Sequence, residues 1–199
     1  MANSRPSGDL NTFLALIGHV CLQWALLEHT LLYIIAVAEN MPDKKAFTYF
    51  GSTDIRARLG IAILLTHDAN WPPTLHERLK SIRKALGKDG ENLLWRRNQA
   101  VHGVHKSSAR EDSFSLTVPR ERGSKREMDV SIADLRALVT RLGELVADAN
   151  SVLEEYGQWK FGTGGEQGLG KNLAEARPSV WIVIAHNLKR AIKRLFANK

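Results

Sequence analysis

Cysteine is almost missing from this chain. Cys21 is its only one in 199 residues, so no internal disulfide can staple the fold. That suits a reducing, cytoplasmic setting, with Cys21, inside an apolar helical run, as a small core residue rather than a nucleophile. Acidic residues are in deficit, 21 against 28 Lys and Arg, giving a formal charge of +7 and a pI near 9.7. A balance of that sign favours anionic partners, nucleic acid or an anionic membrane surface. A secretory pattern is also lacking: Met1 to Gly8 is polar and breaker-rich, and the apolar stretch after it has no cleavage-site pattern. There is no Gly-x-Ser-x-Gly or His-Glu-x-x-His motif. The one glycine-rich stretch, with six glycines between Gly157 and Gly170, is not followed by Lys-Ser/Thr or preceded by a strand, so it has no phosphate-cradling role. No cofactor is expected, and no 20–50-residue repeat is visible.

What is present is ordinary globular material. An apolar content of 44% with 25% charged residues suits one domain with an appendage. Phe13 to Ala38 is long enough to cross a bilayer. It carries His19, Gln23, Glu28 and His29, however, and its apolar residues Phe13, Val20, Trp24, Leu27, Leu31 and Ile34 recur at helical spacing. A buried bundle helix from about Leu10 to Glu39, capped by Asp9 or Asn11, is the reading adopted over a membrane span. A second helix follows from about Lys45 to His67, interrupted near Gly51-Ser52 and capped in its main part by Thr53. A third starts at Thr74, breaks at Gly87–Gly90 and resumes through Glu91 to His102. Alternation in Ser113–Val118 and Glu127–Val130 around a charged, breaker-containing loop predicts a β-hairpin over about 113–130. Ser131 then caps a fourth helix with the stripe Leu135, Leu138, Leu142, Leu145 and Ala149.

The expected organisation is mainly α: a four-to-five-helix bundle with an inserted hairpin and a C-terminal amphipathic helix. Residues 1–9 are an unstructured start, 10–156 the helical domain, 157–177 a glycine-rich linker and 178–199 a basic helix. That last helix presents Lys189, Arg190, Lys193 and Arg194 opposite an apolar stripe. It suits docking on nucleic acid, a partner protein or a membrane, or else covers the domain with a solvated back.

Near the middle of the chain stands Arg97-Asn98-Gln99-Ala100-Val101-His102, followed by Gly103. Arginine is a permanent, forked phosphate ligand, and histidine exchanges protons near neutrality. Asn98 and His102, four apart, share one helix face; Arg97 lies about 100° around, with a stem long enough to reach the same opening. Gly103 suits a left-handed C-terminal cap that sets His102 at the helix end. By itself the spacing also fits a solvated helix face. His102 and His105 could share a metal on a continued helix, but no Cys, Asp or Glu completes a ligand set, so no metal is expected.

Three segments together resemble the HEPN superfamily of helical bundles: Trp24-Ala25-Leu26-Leu27-Glu28-His29-Thr30-Leu31 in the first helix, Arg56-Ala57-Arg58-Leu59 in the second, and the Arg97–His102 stretch ending the third. Members carry an Arg, a polar residue and a His four to six residues from the Arg. The resemblance covers roughly Leu10 to His105, and to Tyr156 with the extra helix. It implies metal-independent RNA cleavage in toxin–antitoxin, phage-defence or RNA-processing settings, by homodimers whose two motifs line one cleft. Arg97 would then hold the scissile phosphate, His102 act as general base or acid, and Asn98 orient either. An antitoxin or another protein partner is also implied. The alternative is a non-catalytic dimeric module that binds RNA or protein.

Glu28, a carboxylate among apolar neighbours, needs a cationic partner. Arg96 and Arg97 are the candidates, and pairing with Arg97 would divert that arginine from phosphate. Trp24 and Trp95 read as core packing rather than base-stacking platforms.

Overall fold

The computed structural model describes residues 7–87, 89–107, 113–119 and 125–161. Among them the chain is mainly α-helical. Helix α1 spans Ser7–Ala38, α2 Asp43–Phe50, α3 Ile55–Asp68, α4 Pro73–Leu86, α5 Leu93–His102 and α6 Ile132–Phe161. Between α5 and α6 lie β1 (Val104–Ser107), β2 (Ser113–Pro119) and β3 (Lys125–Ser131).

Helix α1 is the central strut, packing on α2, α3 and α5, while α4 packs on α3 and α5. Its stripe Val20, Trp24, Leu27, Leu31, Ile34 and Ile35 is buried, as the helical spacing requires. Leu59 and Ala62 of α3, Leu75, Leu79 and Ile82 of α4, and Leu93 and Ala100 of α5 are buried as well. The α6 stripe Leu135, Leu138, Leu142, Leu145 and Ala149 is buried too. Side chains tie α6 in: Thr30 Oγ1 donates to Asn150 Oδ1 at 3.2 Å, and Arg78 Nη1 to Ser151 Oγ at 2.9 Å. Arg141 grips Glu91 through Nε and Nη2, at 2.6 to 2.9 Å.

The ends of the helices explain where the chain turns. Asn40 and Asn70 take φ of 50° and 53°, the left-handed region that asparagine tolerates. In both turns the next amide reaches back five residues, Met41 N to Ala36 O and Trp71 N to Thr66 O, closing α1 and α3. Pro73 occupies the first turn of α4, where its missing N–H costs nothing. The second helical segment is two helices rather than one interrupted one. Asp54, not Thr53, caps α3, its Oδ1 accepting from the amides of Arg56 and Ala57; Thr53 instead donates to the Phe50 carbonyl. Helix α1 begins at Ser7, so Asp9 and Asn11 lie within it and its cap falls outside the described residues.

The hairpin over 113–130 is present as β2 and β3, paired antiparallel with Phe114 opposite Val130 and Thr117 opposite Glu127. A third strand joins it: β1 pairs antiparallel with β2, Val104 opposite Thr117, giving the order β1-β2-β3. Four residues are too few for alternation to announce a strand. Ser131 caps α6 as expected, in a reciprocal box: Ser131 Oγ accepts from the Asp134 amide, and Asp134 Oδ2 accepts from the Ser131 amide. Helix α6 runs through Gly157 to Phe161, so the first residues of the expected linker are helical. A single helical glycine costs only about 1 kcal/mol, and Lys160 lies over the Tyr156 ring one turn away. The remaining linker residues, 162–177, and the basic helix over 178–199 lie outside the described residues.

Among the described residues, Leu10–Ala38 is long and apolar enough to cross a membrane, and half of its apolar window is buried inside the molecule. Cys21 is exposed on this helix, not part of the core.

Candidate functional site

Helix α5 is short, ten residues, and its last residue is His102. The backbone turns sharply into it at Asn92, with φ 52°. It leaves through Gly103, whose φ of −67° and ψ of 144° are extended. Gly103 is therefore not a left-handed cap; it feeds the chain directly into β1. That puts His105 on a strand and removes the helical spacing by which it could have shared a metal with His102.

The structure gathers all three residues of the motif. Arg97 Nη1 donates to Asn98 Oδ1 at 3.0 Å and stands 3.2 Å from His102 Nε2. A guanidinium has only donors, so this contact requires Nε2 to present its lone pair, leaving the proton on Nδ1. Asn98 and His102 are exposed and Arg97 is half-buried. The three form a surface-accessible set with the arginine head between its two neighbours. Arg97 Nε is buried and makes no hydrogen bond. Its guanidinium instead lies over the Trp24 ring, 5.1 Å from the centroid, a cation–π contact worth roughly 0.5–2 kcal/mol depending on desolvation.

Below that ring runs a polar chain that links α1 to α3. Trp24 Nε1 donates to Glu28 Oε1 at 3.0 Å. Glu28 Oε2 lies 3.5 Å from Arg58 Nη1. Arg58, only 6% exposed, also donates through Nε to the Phe50 carbonyl at 3.1 Å and through Nη2 to that of Gly51. The partner of Glu28 is thus Arg58 of α3, neither Arg96 nor Arg97. Arg96 is directed elsewhere: its charge helps hold both Glu91 and Asp134 below the usual carboxylate range, after the larger effects of hydrogen bonds from Arg141 and Ser131. Among the described residues no carboxylate pairs with Arg97, which is held by an aromatic face.

Trp24 is buried, 4% exposed, as expected. Trp95 is not core: it is 41% exposed. Three and seven residues before Asn98 and His102, it falls on the same helix stripe. His67 and Asp68 are exposed at the end of α3, their contact a loose 3.4 Å, which is surface chemistry. The four cations Lys189, Arg190, Lys193 and Arg194 lie outside the described residues. Among the described residues no group of three or more His, Cys, Asp or Glu stands together as a ligand set.

No protein-family model, curated protein or solved structure matches this chain.

A second titratable cluster sits between α1 and α2. The His29 ring packs on Tyr33 and Phe47, each at 4.8 Å between centroids, and its Nε2 is buried without a hydrogen bond. Burial lowers the His29 pKa below its ordinary value, partly countered by Asp43. Burial raises Asp43 as well, against the pull of His29 and a hydrogen bond from Tyr33. The apolar reading of the first helix passed over this group because its members are split between α1, with His29 and Tyr33, and α2, with Asp43 and Phe47.

Proposed function

We propose that the chain is an endoribonuclease of HEPN type, acting without a metal and as a homodimer, with Arg97, Asn98 and His102 as its working residues. The observation that carries this reading is the surface cluster in which one guanidinium nitrogen of Arg97 stands within hydrogen-bond distance of both Asn98 Oδ1 and His102 Nε2. A ribose 2′-OH placed against His102 Nε2 would lose its proton there and attack the adjacent phosphorus. The bond from phosphorus to the 5′-oxygen of the next nucleotide breaks, and that oxygen takes up a proton. The products are a 2′,3′-cyclic phosphate and a 5′-hydroxyl. Arg97 supports the reaction by donating to the non-bridging oxygens as charge builds on them, and Trp24 keeps its head at the surface. Asn98 accepts from Arg97 and fixes its orientation. Trp95, exposed on the same stripe, offers a flat face to an unstacked base. A toxin or phage-defence role, with an antitoxin or other protein partner, belongs to the same reading.

The rival is a non-catalytic dimeric module that binds RNA or a protein. It draws support from the same contact, since Arg97 occupies the nitrogen that a base would use and the pair is satisfied without substrate. The two readings separate in one assay: a panel of RNAs incubated in EDTA with wild type, His102→Ala and Arg97→Ala, each checked for helicity by circular dichroism. Cleavage by wild type that both folded variants lose supports the nuclease. An intact panel favours the binding module.

A further inference from the structure

The C-terminal half of α4 carries Lys80, Arg83 and Lys84, three and four residues apart, so their side chains leave one stripe of the helix. With Arg56 from the first turn of α3, and with Gly87 and Asp89 beyond α4, they line an open groove of about 420 Å³. All four cations are exposed. Lys80 is drawn to Glu77 at 2.7 Å, and Asp89 is the single acid in the lining. Among the described residues no carboxylate forms an ion pair with Arg56, Arg83 or Lys84.

Ordinary helix electrostatics accounts for only part of this. Cations in the last turn of α4 complement its negative end. Arg56 does the opposite: it sits in the first turn of α3, at the positive end, where an acid is favoured. Lys80 and Lys84, one turn apart, repel each other, as do Lys80 and Arg83. The groove therefore concentrates positive charge that the fold itself does not need, and a bound polyanion would relieve both unfavourable arrangements.

We propose that this groove binds the phosphate backbone of an RNA strand, giving the substrate a point of attachment on α3 and α4 additional to Arg97, Asn98 and His102 on α5. A row of cations along an open channel suits successive phosphates better than one enclosed anion. Arg56 and Arg83 present forks that grip two phosphate oxygens, while Lys80 and Lys84 act as point charges. Binding of this kind carries no base preference and weakens steeply with salt, because each contact releases counterions. The inference rests on RNA being the ligand, as in the reading above, but not on its being cut.

The test is fluorescence anisotropy with a labelled, single-stranded 2′-O-methyl oligoribonucleotide, which lacks the nucleophile and so reports binding alone. Wild type is compared with Arg56→Gln/Arg83→Gln/Lys84→Gln and with a charge-matched control, Lys44→Gln/Lys45→Gln/Arg136→Gln. The substituted positions are exposed in both triple variants, and circular dichroism verifies their folding. The groove variant should bind roughly tenfold or more weakly at low salt, with a log–log salt slope shallower by about two, at about 0.7 per lost phosphate contact. The control should stay near wild type. Equal weakening of both variants would reduce the effect to net charge and overturn the proposal, as would wild type failing to bind. Pyrophosphate that displaces the strand from wild type well beyond sodium chloride at the same ionic strength would also overturn it, by making the groove a site for a compact anion. Intact RNA with groove-dependent binding would sink the nuclease reading alone; groove-independent binding with His102-dependent cleavage would sink the groove alone.

Discussion

Arg97 is a cation whose usefulness depends on what it does not touch. Had Glu28 paired with it, its head would be committed to a carboxylate; Arg58 takes that carboxylate instead, and Trp24 supplies a face that positions without neutralising. Two substitutions separate the roles of the ring. Trp24→Phe keeps an aromatic surface and should retain most RNA cleavage, while Trp24→Leu should lose at least about tenfold in kcat/KM, the equivalent of about 1.4 kcal/mol of lost Arg97 positioning. Equal activity in the two variants, both verified as folded, would remove Trp24 from the account. The Trp24–Glu28 bond joins residues four apart on α1 and was open to spacing, but the Arg58 and Arg97 ends of this chain were not, because they lie on α3 and α5, whose rotation relative to α1 spacing does not specify. The motif itself was legible, since Asn98 and His102 are four apart on one helix and the arginine stem is long enough to bring its head around to them.

His29 makes a prediction at the same scale. Its folded pKa is lowered, chiefly by burial, so the unfolded chain binds the extra proton first as pH falls. The stability held by neutral His29 is present above its unfolded pKa of about 6.5 and is lost as pH falls through that value toward the lowered one. Asp43, whose pKa is raised, works in a lower window and with the opposite sign: its penalty grows as pH rises from about 3.8 through its folded value. Thermal melts between about pH 7.5 and about pH 5.5 should therefore show a loss that His29→Phe reduces. An unchanged loss in that variant would place the acid sensitivity elsewhere.

Among the elements, those with long apolar stripes were readable and the short ones were not. Helices α1, α4 and α6 follow from their buried positions, and the β2–β3 hairpin from alternation around a charged loop. β1 was missed, and Gly103 was read as a left-handed cap, since four residues hold too little pattern to distinguish a strand from a helix end. Asn40 and Asn70 do at the ends of α1 and α3 what glycine more often does. The box that starts α6 gives the element-scale prediction. Ser131→Ala removes the acceptor for the Asp134 amide and should cost about 1 kcal/mol in urea unfolding. Hydrogen bonds from Ser131 hold the Asp134 pKa below its ordinary value. The stability linked to Asp134 is therefore full above its unfolded pKa and lost as pH falls through the lowered one. In Ser131→Ala that acid loss should shrink, and a variant as stable as wild type at neutral pH would show that the box is not holding the helix.

For the molecule as a whole, a helical bundle sets the end of α5 at the surface and gathers four exposed cations on α3 and α4, of which Lys80 alone has a carboxylate partner among the described residues. The positive balance of the chain, visible at once in its composition, acquires a location there, which composition alone could not supply. The central claim is that His102 and Arg97 cut RNA by using its own 2′-hydroxyl. The most direct measurement replaces the ribose at a mapped cleavage position with a single 2′-deoxynucleotide, and reads both the extent of cleavage and the end groups in EDTA. The account predicts 2′,3′-cyclic phosphate and 5′-hydroxyl ends from the all-RNA strand, and no cut at that position in the 2′-deoxy strand or with either folded variant, His102→Ala or Arg97→Ala. Cleavage that survives the 2′-deoxy substitution, or that leaves 5′-phosphate ends, would contradict it.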